Sequence, residues 1–347
     1  MTNKEQRKRL VKYLNKILKR LKQLTVSTYY RALEYLRDSI EAGASFNWNE
    51  NPTAQKKVDK LLDILEGKIN VTIANGVSTW YQEGLDEAVN AVTKELKGKG
   101  INARNRDIKN LKAAATTARR TEAMAGHART VSYRGGAINN LSNRVWSFKA
   151  NAKNEIEAII QKTIQDGKGV HAAKSYVKEF LNTDGKGQMK VRGRGIYRTV
   201  LKNCERLMRT EINAAYRSAE VDSYQAMDVV LGYKINLSGN HTTTTANGAV
   251  IKISDICDEC TGAYPKNFIW YGWHPNCRCY ITPITMSPSQ FGKYQEAEDE
   301  GRAEEYLESI TIKTYPAGFI NYFRTHGAQF RKHPPQWLKD NPAIELL

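Results

Sequence analysis

The chain has 347 residues, 41% hydrophobic and 26% charged, a balance that buries a core and excludes an intrinsically disordered protein. Its 53 Lys and Arg outnumber 36 Asp and Glu, and the formal charge of +17 draws in polyanions such as nucleic acid or an acidic protein surface without saying which. No run approaches the roughly 20 apolar residues of a membrane span, and lysines interrupt the first apolar stretch, so neither a membrane partner nor a signal peptide is expected, and the chain should stay in the cytosol that makes it.

At the N-terminus, Leu10, Leu14, Ile17, Leu21 and Leu24 recur at three- and four-residue steps among Lys8, Arg9, Lys12, Lys16, Lys19 and Arg20. This is the pattern of a basic amphipathic helix. Its plain reading packs the leucine stripe on the following helix and leaves the lysines solvated, while the same cations are candidates for contact with DNA or a partner. A second series, Leu61, Leu65, Ile69, Ile73, Val77 and Trp80, keeps helical spacing through Gly67 and Gly76. Gly98-Lys-Gly100 predicts a turn, Asn110 to Thr130 a weakly amphipathic helix, and Arg134-Gly-Gly136 a break.

Residues 151–181 predict two short helices parted at Asp166-Gly-Lys-Gly169, followed by a flexible Thr183 to Gly187 and by Arg192 and Arg194, two further candidates for a polyanion. No Gly-Lys is followed by Ser or Thr, which excludes a Walker phosphate loop. From about Ile196 to Met227 a helix places Leu201, Cys204, Met208, Ile212, Ala215 and Ala219 on one face, with Cys204 expected to act as a small hydrophobe. Glu205 with Arg209 and Arg217 with Glu220 have the spacing of helix-surface ion pairs. After Gly232 short β-branched runs follow, Tyr233 to Leu237, Thr242 to Thr245 and Ala249 to Ile253, with a turn at Asn247-Gly248 and a last strand from Tyr280 to Ile284. Beyond Pro288 the pattern is helical again, acidic from Glu296 to Glu308, and Phe319, Tyr322, Phe323 and Trp337 mark an arm that wraps its own body or a neighbour.

The strongest motif is Cys257-x-x-Cys260 followed by His274-Pro-Asn-Cys277-Arg-Cys279. Four clustered cysteines suit a metal in a reducing compartment better than a disulfide framework, and the sixteen residues between Cys260 and Cys277 match a two-knuckle zinc site. Five donors compete for four tetrahedral places; the preferred set is Cys257, Cys260, Cys277 and Cys279, with His274 the nearest challenger. Reduced core cysteines and an incidental disulfide are the plain alternatives. A zinc saturated by four protein ligands is structural, because no position stays open for a water. A zinc deaminase is excluded, since Asn276 stands where its His-x-Glu needs Glu and Ile256 stands before Cys257 where it needs Pro. A nuclease using Asp255, Asp258, Glu259 and His274 for a hydrated cation is the enzymatic alternative.

The helix bearing Arg209-Thr210-Glu211, a gap of roughly fifty residues, the Cys257 turn and the closing His274 to Cys279 hexapeptide together resemble the Mu F-like phage head morphogenesis (minor capsid) proteins, over about residues 150–285. The resemblance implies a minor component of a tailed-phage head that acts in capsid assembly at or near the portal and assists in handling or ejecting the genome. It implies portal and capsid proteins and non-specific double-stranded DNA as partners, further copies in the assembled particle, and a place in the virion after assembly in the host cytoplasm. On this view the enzymatic alternative is a nuclease or genome-processing factor delivered with phage DNA. Arg209 and Glu211 match the family's helix motif, yet two residues apart on a helix they point about 200° away from each other and cannot pair. The local reading pairs Arg209 with Glu205 and lets Glu211 cap a backbone amide. The expected fold is mainly α, an elongated multi-helix body with a small C-terminal α+β zinc-knuckle module. Its segments are a helical N-terminal region (1–150), the Mu F-like domain (151–285) and a C-terminal helical arm (286–347).

Overall fold

The computed structural model describes residues 3–41, 46–101, 131–133, 137–139, 141–182, 199–238, 242–244, 250–252, 255–332 and 334–342, with positions 111, 113 and 344. Arg192, Arg194, the 134–136 break, the 183–187 stretch, the Asn247-Gly248 turn and most of the 110–130 segment lie outside these residues. The described residues are mainly helical, with a small three-stranded antiparallel sheet in the C-terminal half. Two compact units emerge, each discontinuous in sequence: residues 1–75 with 139–209, and residues 76–138 with 210–347.

The first unit holds α1 (Asn3–Tyr35), α2 (Arg37–Glu41), the first half of α3 (Pro52–Gly98), α4 (Leu141–Gln165), α5 (Val170–Asn182) and the start of α6 (Val200–Gln225). The apolar stripe of α1 buries Leu14, Leu21, Tyr29 and Leu33. It packs chiefly against α5 and α4, a partner choice that periodicity does not encode. Opposite this stripe, Lys8, Arg9, Lys12, Lys16, Lys19 and Arg20 are exposed. Glu155 is buried on α4 and meets the carboxylate's need for donors twice, accepting from Tyr29 Oη at 2.6 Å and from the Val200 N–H at 2.7 Å, an otherwise unpaired donor in the first turn of α6. The expected parting of α4 from α5 falls where predicted. At Gly167 the backbone turns left-handed (φ 62°), so that Lys168 N–H reaches Thr163 O (3.0 Å) and Gly167 N–H reaches Ile164 O (2.9 Å), a Schellman stop that a residue without Cβ adopts at no steric cost. Cys204 is buried on its stripe, and burial pushes its thiol up, as a small hydrophobe requires.

The second unit is built on the sheet β6-β3-β7, in which β3 (Val230–Asn236) pairs antiparallel with β6 (Gly262–Pro265) on one side and β7 (Tyr280–Thr285) on the other. Pro283 is tolerated because β7 is an edge strand. Two short ribbons accompany it, β1 (Val131–Tyr133) with β2 (Ala137–Asn139) and, antiparallel, β4 (Thr242–Thr244) with β5 (Val250–Lys252). After the sheet come α8 (Pro288–Asp299), α9 (Ala303–Ile310), α10 (Ala317–Lys332) and α11 (Gln336–Lys339). Ser287 and Gln290 form a capping box that starts α8 with Pro288 in its first turn.

The predicted arm wraps its own body. Phe319 and Trp337 are fully enclosed among Tyr264, Phe268 and Trp273, with Phe319 and Trp273 ring centres 5.8 Å apart, and Tyr322 and Phe323 are partly buried against the same cluster. The amide of Asn341 binds the backbone of Ile269 at both ends, accepting its N–H (2.8 Å) and donating to its carbonyl (2.9 Å), as a neighbouring strand would. Gly318 lies so close beneath α7 (Ile256–Glu259) that an added Cβ would stand 2.2 Å from Glu259 O.

Candidate metal centre

Each donor reaches the centre for a local reason. Asp255 caps α7: its Oδ1 accepts the Cys257 N–H at 2.8 Å, and Asp258 returns a carboxylate to the Asp255 N–H at 3.1 Å, a capping box that fixes Cys257 in the first turn. His274-Pro-Asn-Cys277 closes on itself through a Cys277 N–H bond to His274 O of 3.0 Å. Pro at the second position and a left-handed Asn276 (φ 63°) at the third are the residues a type II turn demands. The turn carries His274 and Cys277 to the same side as α7. Entering β7, Cys277 and Cys279 then alternate inward while Arg278 points to solvent.

The sulfurs of Cys257, Cys277 and Cys279 form one group, and Asp255, Cys257 and His274 a second, each with ligand atoms within 4.8 Å of one another. Cys257 belongs to both. Its Sγ lies 3.1 Å from His274 Nε2 and 3.8 Å from Cys277 Sγ. A tetrahedral ion with metal–sulfur bonds of about 2.3 Å separates its thiolates by about 3.8 Å, so this edge already has the length a bound metal imposes. All five cysteines are free, with no disulfide between them.

His274 is arranged as a ligand. Its Nδ1 sits 2.8 Å from Pro275 O, which fixes the proton there and turns the Nε2 lone pair toward Cys257. Asp255 Oδ2 approaches the same Nε2, at 3.4 Å. In a nucleophilic relay the carboxylate would instead hold the far nitrogen, so this ring cannot pass a proton from thiol to acid. Hydrogen bonds from Cys257 and Cys279 hold the Cys277 thiol well below its ordinary range, helped by Arg217 and His274.

Cys260 is where the structure departs from the preferred set. It is fully buried, but its sulfur joins neither group, and burial followed by the field of Glu259 pushes its thiol up to about 12. Of the five predicted donors the fold therefore gathers Cys257, Cys277, Cys279 and His274 and leaves Cys260 at the side. Together with Asp255 these residues can hold a metal ion.

The Arg209-Thr-Glu211 triplet divides its work. Arg209 Nε donates to Glu205 Oε1 at 3.1 Å, the local pair expected, and its Nη2 reaches Asn15 on α1 at 3.2 Å. Glu211 is half-buried. The middle residue, given no role from the sequence, touches the centre's loop: Thr210 Oγ1 accepts the Asn276 N–H at 3.2 Å. Two turns along the same face of α6 stands Arg217. The expectation of a surface pair with Glu220 is wrong for it: Arg217 is only 7% exposed, and its guanidinium donates to Cys277 O (2.6 Å) and Tyr271 O (3.1 Å) over the Trp270 ring. Nothing local announces this role; the seven-residue step from Thr210 is the one signal, and only once the partner loop is known. No helix among the described residues is long and apolar enough to cross a membrane. Comparison with protein-family models, with curated proteins and with solved structures finds no match.

Proposed function

We propose that the chain is a minor head protein of a tailed phage, of the Mu F-like morphogenesis family, acting in assembly at or near the portal. A zinc ion held by Cys257, Cys277, Cys279 and His274 would lock its C-terminal unit into a rigid clip. The observation that supports this reading is the meeting of the features that carry the resemblance: the Arg-Thr-Glu helix touches the closing hexapeptide through Thr210 and Asn276, and both cysteine turns converge on one point. Bound zinc would supply cross-linking alone. Three thiolates and an imidazole fill a tetrahedral shell, leaving no place for an activated water, which is the chemical reason for setting an enzymatic role second.

Packaged DNA is the polyanion that the +17 charge fits best. Lys8, Lys12, Lys16 and Lys19 follow one another at helical steps on the exposed side of α1, with Arg9 and Arg20 beside them, over about 18 Å of helix. Such a stripe binds phosphates by counterion release and reads no sequence. If its six cations each meet a phosphate, the logarithm of the DNA association constant should fall against the logarithm of salt with a slope of about −5. Replacing Lys12, Lys16 and Lys19 by Glu should flatten that slope; an affinity indifferent to salt would remove duplex DNA from the partners.

A further inference from the structure

Arg217 is a charged residue taken almost wholly out of water, and no carboxylate pairs it within the loop it enters. What it meets there is backbone: the carbonyls of Tyr271 and Cys277, the face of Trp270 with its guanidinium carbon 5.2 Å from the ring centre, and the open side of Gly272. Gly272 is cut to fit it. The glycine has a φ of 133°, and a Cβ there would stand 2.8 Å from Arg217 Nη1 and 3.3 Å from Cys277 Cβ. Taken out of water, the cation keeps its hydrogen bonds only because the turn aims two backbone carbonyls at it, so the turn and the side chain hold each other in one geometry.

We propose that Arg217 is the positioning residue of the metal centre, holding the Tyr271 to Cys277 turn, and with it His274 and Cys277, in ligand-ready form. This rests on the metal reading of the cysteine cluster. Loading and the Arg217 contacts are then coupled: the side chain stabilises the metal-bound protein more than the metal-free one. A residue that merely packs would stabilise both equally.

The test uses full-length protein, with zinc affinity measured by competition against a chromophoric chelator and thermal midpoints measured with and without zinc. Arg217→Met is expected to weaken zinc binding by roughly 10- to 100-fold, the usual effect of losing a residue that orients a ligand. It should also shrink the rise in midpoint that zinc produces. Arg217→Lys keeps the charge but not the two-carbonyl fork and should fall between Met and wild type. An unchanged zinc affinity in Arg217→Met, or equal loss of midpoint with and without zinc, would overturn the proposal. Should Arg217→Met not fold, Arg217→Lys decides alone: lowered affinity supports the coupling and wild-type affinity rejects it. A wild-type protein that takes up no zinc would instead reject the metal reading beneath it.

Discussion

At the scale of single residues, the sequence named the five donors but ranked them by spacing, and spacing favoured Cys260. Its place at the end of α7 explains the difference: the turn that caps the helix brings Cys257 to His274, and Cys260, one turn on, is buried in the same cluster with its sulfur outside both close groups. His274 gains its rank from a bond invisible in sequence, Nδ1 to the carbonyl of its own neighbour Pro275. The thiols also set a pH dependence. In the metal-free fold the thiols of Cys257 and Cys279 are both pushed above their ordinary range, the latter to about 12. For Cys257 the main cause is its bond to Cys277; for Cys279 the bond to Cys257 pulls down, and the bond to Cys277, with burial and the charge of Cys277, outweighs it. Raised thiols are protonated at neutral pH, and zinc must displace those protons. Zinc affinity should therefore rise with pH, with protons released on binding. Calorimetry in buffers of different ionisation enthalpy measures that release, and a binding heat independent of the buffer would contradict it.

At the scale of elements, most of the pattern was legible. Period-3.6 leucines gave α1 and α3, the 166–169 break gave the end of α4, and β-branched runs gave β7 to within one residue and β3 with its start three residues late. The Pro-Asn pair of His274-Pro-Asn-Cys277 is likewise a turn written in local chemistry. What sequence left out is which faces meet. The Arg217 to Glu220 spacing is sound as helix chemistry, yet tertiary burial turns Arg217 onto a loop more than fifty residues away. The aromatic arm was legible as apolar, and its target became visible only with the fold. Its fit is tight at Gly318, where one methyl group meets the Glu259 carbonyl at the end of the Cys257 turn. Gly318→Ala should destabilise the protein by about 1–3 kcal/mol, as overpacking does. Chemical denaturation checks this, and an unchanged midpoint would show that α10 is free to shift.

At the scale of the whole molecule, composition indicated a polyanion partner and no more, and among the described residues the candidates that would meet it form one exposed stripe on α1. The second unit has its own means of cohesion: a three-stranded sheet, an aromatic cluster and a cysteine centre joined by the arm that covers them. This centre is proposed to hold one metal through Cys257, Cys277, Cys279 and His274. Elemental analysis of the purified full-length chain and its single variants tests it most directly. One zinc per chain is expected, kept in Cys260→Ser and lost or sharply reduced in Cys257→Ser and Cys277→Ser. Zinc absent from the wild-type protein, or lost in Cys260→Ser while retained in His274→Ala, would contradict it.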